Sequence, residues 1–121
     1  MAKGAIRGYK DLVVWQHAMA LVGDIYGLTE RLPADERFGL TAQLRRAAVS
    51  VPSNIAEGYG RHATGEYRHH LLISRGSLFE VETQLLLCVQ LGYADDVVTQ
   101  PVLEELRSVG KMLTSLLTRL R

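Results

Sequence analysis

Apolar side chains along this chain return every three or four residues in four separate stretches, and no stretch alternates with the period of two that a half-buried strand requires. From position 11 to 32, Leu12, Trp15, Met19, Val22 and Tyr26 line one helical face, and Val14, Ala18, Leu21, Ile25, Leu28 and Leu32 lie beside them. Together they cover about half the cylinder, wider than the stripe near 100° of an ordinary surface helix, which predicts burial against more than one neighbour. Pro33 ends this helix. Asp35 and Glu36 suit the positive end of a second one, expected over 35–59, whose apolar face is Leu40, Leu44, Ala47, Val51 and Ile55. Pro52 falls inside it. The missing N–H and the clash with the Ala48 carbonyl cost about 3 kcal/mol in a straight helix, so a kink or a break is expected near Pro52.

Gly58, Gly60 and Gly65 bracket the next connection, with Thr64 as the candidate N-cap. A third helix over 65–91 follows, in which Tyr67, Leu71, Ser74, Leu78, Val81, Leu85 and Cys88 form a heptad seam. Gly92 stops it, Asp95 and Asp96 favour a fresh start, and Pro101 is acceptable in a first turn. The fourth helix, 96–120, carries a second seam of Val102, Leu106, Val109, Leu113, Leu116 and Leu120. Short connections make neighbouring helices antiparallel, so the expected fold is all-α, a single up-down-up-down four-helix bundle spanning 1–121.

Composition narrows the setting without naming a role. A chain of 121 residues is long enough for one independent core, and its net charge of +1 gives no bulk attraction to a polyanion. The single cysteine cannot close an internal disulfide, and the opening MAKGAIRGYKDLVVW lacks the apolar run of a secretory signal, so a cytoplasmic location is expected. No stretch reaches the length of about 18 apolar residues that a membrane span needs, so no membrane partner is expected.

Candidate chemistry is sparse. Glu66 and His69 form one Glu-x-x-His motif, but di-iron bundles need two such motifs and two further inward carboxylates, and His17, His62 and His70 supply no second one. There is no Gly-x-Ser-x-Gly elbow, Cys88 sits on the core seam, and the glycines at 58, 60 and 65 match no phosphate-binding loop. Neither a catalytic residue nor a cofactor or metal site is expected, and the chain reads as a non-enzyme.

The outer faces are more informative. The second helix carries a polar line of Gln43, Arg46, Ser50, Asn54, Glu57 and Arg61, drawn from a run rich in small residues that lets another helix come close. The third carries a stripe of Arg68, Leu72, Arg75, Phe79, Glu82 and Leu86, apart from its core seam. A phenyl ring and two leucines on an outer face call for cover. Arg46, Ser50, Asn54, Glu57, Leu72, Arg75, Phe79 and Glu82 are therefore the candidate interface of a homo-oligomer. In an up-down-up-down bundle Lys3, Arg7, Lys10, Arg61, His62, Arg68, His69, His70, Arg119 and Arg121 gather at one end, while Glu30, Asp35, Glu36, Asp95, Asp96, Glu104 and Glu105 gather at the other. The basic end is a candidate footprint for the phosphates of RNA or DNA. The alternative is a ring that docks a protein partner and has no nucleic-acid role. Aromatic support for stacking is thin, with only Tyr9 and Tyr59 near that end.

The run FGLxxQLRRAAVSVPSNIAEGYGR from Phe38 to Arg61, the opening YKDLVVW from Tyr9 and GSLFEVETQL from Gly76 resemble the bacterial four-helix bundle family named for 23S rRNA intervening sequences. The resemblance implies a left-handed up-and-down bundle that assembles as a ring-like homopentamer. A related accessory protein of diversity-generating retroelements binds nucleic acid and a reverse transcriptase through a positively charged pentameric barrel. Arg45, Arg46, Asn54 and Glu57 match the family motif and read first as structural and interface residues. The near-neutral charge of this chain departs from that strongly basic relative.

Overall fold

The computed structural model describes residues 5–121, and four helices account for most of them: α1 (Val13–Thr29), α2 (Leu40–Tyr59), α3 (Thr64–Gln90) and α4 (Asp96–Arg119). Each helix packs on its neighbours in the chain, and α1 closes the bundle against α4, with the most extensive contact between α2 and α3. The architecture is the expected antiparallel up-and-down bundle, with no strand among the described residues.

The broad apolar arc of α1 divides in two. Val14, Ala18, Leu21, Ile25 and Leu28 are buried in the shared core, whereas Trp15 and Val22 are half-buried and Met19 and Tyr26 lie exposed beside α2. The α3 seam is buried from Leu71 to Cys88, with Tyr67 half-buried at its start. The α4 seam drifts. Val102, Leu106, Val109 and Leu113 are buried, but the next core position is Leu117, and Leu116 and Leu120 are half-buried at the edge. A straight helix advances 3.6 rather than 3.5 residues per turn, so a seam read at strict heptad spacing walks off the core by about 20° per repeat. Burial keeps the Cys88 thiol up in pKa, with the Glu36 carboxylate adding to it, which suits inert packing.

Element ends correct several expectations. The chain enters α1 through a 3-10 turn at Tyr9–Asp11, where Tyr9 meets Trp15 edge to face at 5.3 Å, so the helix starts two residues later than 11 and ends at Thr29 rather than 32. Asp35 and Glu36 do not open α2 but form their own 3-10 turn, Ala34–Glu36. Gly39 intervenes, and Glu36 Oε1 accepts from the Leu40 N–H at 3.0 Å, so its carboxylate caps the later start. The helix α2 is not broken at Pro52, and the Ser74 hydroxyl of α3 donates to the carbonyl of Val51 at 2.9 Å just before that proline. Thr64 is the first residue of α3 and not its cap, because extended Ala63 occupies that place without a side-chain bond. At the other end of α3, Gly92 takes a positive φ of 78°. This lets the Tyr93 N–H reach the Cys88 carbonyl at 2.8 Å in a closing turn that glycine favours. Asp95 caps α4 by accepting from the Val98 N–H at 3.0 Å. Pro101 lies in the second turn of α4, not the first. It removes the donor for the Val97 carbonyl, and Val97 is 83% exposed, so solvent satisfies that group.

Candidate functional site

The antiparallel order brings the start of α1, the end of α2, the start of α3 and the end of α4 to one end of the bundle. Arg7, Lys10, Arg61, His62, His69, Arg119 and Arg121 are exposed there, and Arg68 is half-buried. Lys3 lies outside the described residues. The cations are not equivalent. Arg61 is held between two carboxylates, with Nη2 at 3.1 Å from Glu57 and Nη1 at 3.7 Å from Glu66. Lys10, Arg68, Arg119 and Arg121 meet no carboxylate within ion-pair distance among the described residues. Arg119 acts on Tyr67 through space. Burial, then the neighbouring Tyr59, raise the Tyr67 phenol above its usual range, and the Arg119 charge partly opposes them. The rings near this end are engaged within the chain, Tyr9 on Trp15 and Tyr59 on Tyr67 at 6.0 Å, so they offer no free platform for bases.

The opposite end holds Glu30, Asp35, Glu36, Asp95 and Asp96 against Arg31 and Arg37. Glu104 and Glu105 do not belong to it. They lie mid-way along α4, where Glu105 Oε1 meets His17 Nδ1 of α1 at 2.6 Å. Burial, with a further push from Glu105, raises the Asp24 carboxyl. The Tyr93 hydroxyl donates to Glu36 Oε2 at 3.0 Å, joining the loop after α1 to the loop after α3. Phe38, 84% exposed under the Arg37 guanidinium at 4.8 Å, and Val97 are the two most exposed large apolar residues described. Neither belongs to an apolar seam read from the sequence: Phe38 lies in the turn before α2, and Val97 is the second residue of α4.

The polar line on α2 turns largely toward α3 of the same chain. The Ser77 hydroxyl donates to Ser50 Oγ at 2.8 Å. Asn54 Nδ2 donates to the carbonyl and hydroxyl of Ser50, both at 2.9 Å, while its Oδ1 faces His70 Nδ1 at 3.1 Å. The close helix approach allowed by the small residues is thus taken up by α3. Further along the same face, Gln84 Nε2 reaches Gln43 at 3.5 Å and Gln84 Oε1 is buried with no partner among the described residues. Arg46 is exposed, and Glu57 is exposed and tied to Arg61. Leu72 and Phe79 on α3 are exposed, with Phe79 55% open, and Arg75 and Glu82 are half-buried beside them. Phe79 lies in a groove of about 760 Å³ between α3 and α4, floored by Leu78, Leu106 and Gly110 and edged by Arg107 and Lys111. A smaller apolar groove of about 350 Å³ runs between α1 and α2, lined by Trp15, Met19, Val49 and Pro52. In the square of the bundle these two faces are opposite sides. Glu66 pairs with Arg61, and His69 meets the neighbouring His70 edge to face at 5.7 Å. No group of three or more metal-ligating side chains occurs among the described residues.

These features define an antiparallel four-helix bundle whose polar chemistry lies on its ends and outer faces rather than in its core. A family model described as 23S rRNA-intervening sequence protein matches residues 10–115, and the chain belongs to that family. It is similar to the crystal structure of a protein of unknown function from the S23 ribosomal protein family of Bacteroides thetaiotaomicron. The two share 21% identity with a TM-score of 0.81 over 87% of this chain and 98% of that one. At that identity the likeness speaks for the fold. No curated protein matches the chain in sequence. Neither the family description nor the neighbour's names an enzymatic activity, and no helix described is long and apolar enough to cross a membrane.

Proposed function

We propose that this chain is a non-enzymatic protein that assembles side by side with copies of itself and presents the basic ends of the bundles to the phosphates of RNA or DNA. The observation that carries the reading is the segregation of charge: Lys10, Arg68, Arg119 and Arg121 meet no carboxylate among the described residues, at one end of a chain whose net charge is only +1. A parallel ring would bring several such ends to one rim and multiply a weak field into a useful one. Two apolar grooves on opposite sides of the bundle support assembly, because a face-to-opposite-face contact repeats around an axis until it closes. The family resemblance makes five the expected number of copies.

Binding to a structured RNA should fall steeply with salt, with a slope of log Kobs against log salt near −4 if about four phosphates are neutralised per subunit. Arg68→Glu with Arg119→Glu should abolish binding at moderate salt while leaving the circular dichroism unchanged; undiminished binding would remove the basic end from consideration. The assembly face is tested separately. Phe79→Glu places a carboxylate in the α3/α4 groove, and the mass in solution should drop to that of one chain; a variant that stays assembled would show that the contact lies elsewhere. The engaged aromatic rings favour one second reading, a ring that docks a protein and ignores nucleic acid, and the absence of RNA binding even at low salt would select it.

A further inference from the structure

The two ends of the bundle differ in shape as well as in charge. The acidic end projects apolar groups outward: Phe38 at 84% and Val97 at 83% exposure, with Leu91 half open, among Asp35, Asp95 and Asp96. The Tyr93–Glu36 hydrogen bond ties the segment that carries Phe38 to the loop that leads from Leu91 into α4. The basic end is indented. A groove of about 670 Å³ opens there between the start of α1 and the end of α4, with Leu12, Val13, Met112 and Leu116 as its apolar lining and Lys111, Arg119 and Asp11 as its charged residues. At one end, then, an exposed phenyl under Arg37 and an exposed isopropyl lie in a region rich in carboxylates, and at the other an apolar recess is edged by two cations and Asp11.

We propose that the acidic end of one copy docks into the basic end of another, with Phe38 seated in the α1/α4 groove and Asp35 and Asp96 opposite Arg119 and Arg121. The occupant is a second copy because both halves of the contact, apolar against apolar and acid against base, are present on this one chain. The contact is heterologous and lies along the bundle axis, so it does not close and adds copies or rings end on end. It covers the same cations that the proposed function gives to phosphates, and RNA should therefore shorten the stacks. The contact itself needs no nucleic acid, so it can stand where the RNA reading fails and fail where that reading stands.

The test is sedimentation velocity on the purified full-length protein, without nucleic acid, over rising concentration. At low salt the mean mass should keep growing past the plateau set by side-by-side assembly, and it should return to that plateau in about 0.5 M salt, where screening is strong. Asp35→Lys with Asp96→Lys sets cations opposite Arg119 and Arg121, and Arg119→Glu with Arg121→Glu sets carboxylates opposite Asp35 and Asp96; the Asp95 cap is left intact in each. Each variant alone should stay at the plateau, and mixing the two should restore growth. Phe38→Asp, in an exposed loop, should also stay at the plateau with unchanged helicity. A wild type that never exceeds the plateau would overturn the proposal, as would charge-reversed variants that grow like the wild type or a mixture that fails to recover.

Discussion

Replacing Gly58 by valine is expected to remove a substantial part of the stability of the fold. Gly58 lies inside α2 and is buried against α3, and a Cβ built there would stand 2.8 Å from the Cβ of His70 and 3.1 Å from both the Tyr67 ring and the Tyr67 carbonyl. Two of those three atoms are fixed to the α3 backbone, so no side-chain rotation relieves the clash and the helices must move apart. Overpacking of this kind costs roughly 1–3 kcal/mol and more where backbone must shift, against a total stability of about 5–15 kcal/mol for a domain of this size. Alanine at the same place gains up to about 1 kcal/mol of helix propensity over glycine, yet it too should be net destabilising. The internal control is Gly23, in exposed α1, where an added Cβ meets nothing within 4 Å. Gly23→Ala should stabilise by about 0.5–1 kcal/mol. Thermal unfolding of the three variants decides the matter, and a Gly58→Val protein that melts with the wild type would mean that α2 and α3 do not approach this closely.

Leu113→Ala should have an effect at least as large, and its comparison with Leu116→Ala tests the drift of the α4 seam. Leu113 has no exposed surface, and truncating such a leucine removes buried methyl groups and leaves a cavity, together worth about 3–4 kcal/mol. Leu116 was expected in the core at heptad spacing but is half-buried, and its truncation should cost about 1 kcal/mol. Urea denaturation separates the two values. Equal losses would put the core of α4 at the heptad positions after all.

The number, type and order of helices were legible because the pattern that specifies them is local. Every position that the α3 seam predicted from Leu71 to Cys88 is buried, Ser74 as a polar member of it. The helix starts were less legible because the groups that set them come from side-chain geometry beyond the apolar pattern: the Glu36 carboxylate that caps Leu40 could not be told from a first-turn residue. The same holds for the polar line on α2. A serine, an asparagine and a glutamate at helical spacing look alike whether they face solvent, a second copy or α3, and only the register of α3 shows Ser50 against Ser77 and Asn54 against His70. At the ends, position along the chain placed Arg61, Arg68 and Arg119 together correctly, but whether a cation is spent on a neighbouring carboxylate is a matter of a few ångströms. The exposure of Phe38 and Val97 was not legible, because a lone apolar residue in a turn or in the first turn of a helix has no period to reveal it.

The intimate α2–α3 contact also sets an order of assembly in time. Only the four residues from Gly60 to Ala63 separate these helices, so their pairing closes a short loop, whereas the His17–Glu105 bond that joins α1 to α4 links groups 88 residues apart in sequence. Closing the longer loop costs more chain entropy, and α1 is the shortest of the four helices. The α2–α3 hairpin is therefore the natural nucleus for folding, and the α1–α4 seam is the last to close and the first to open.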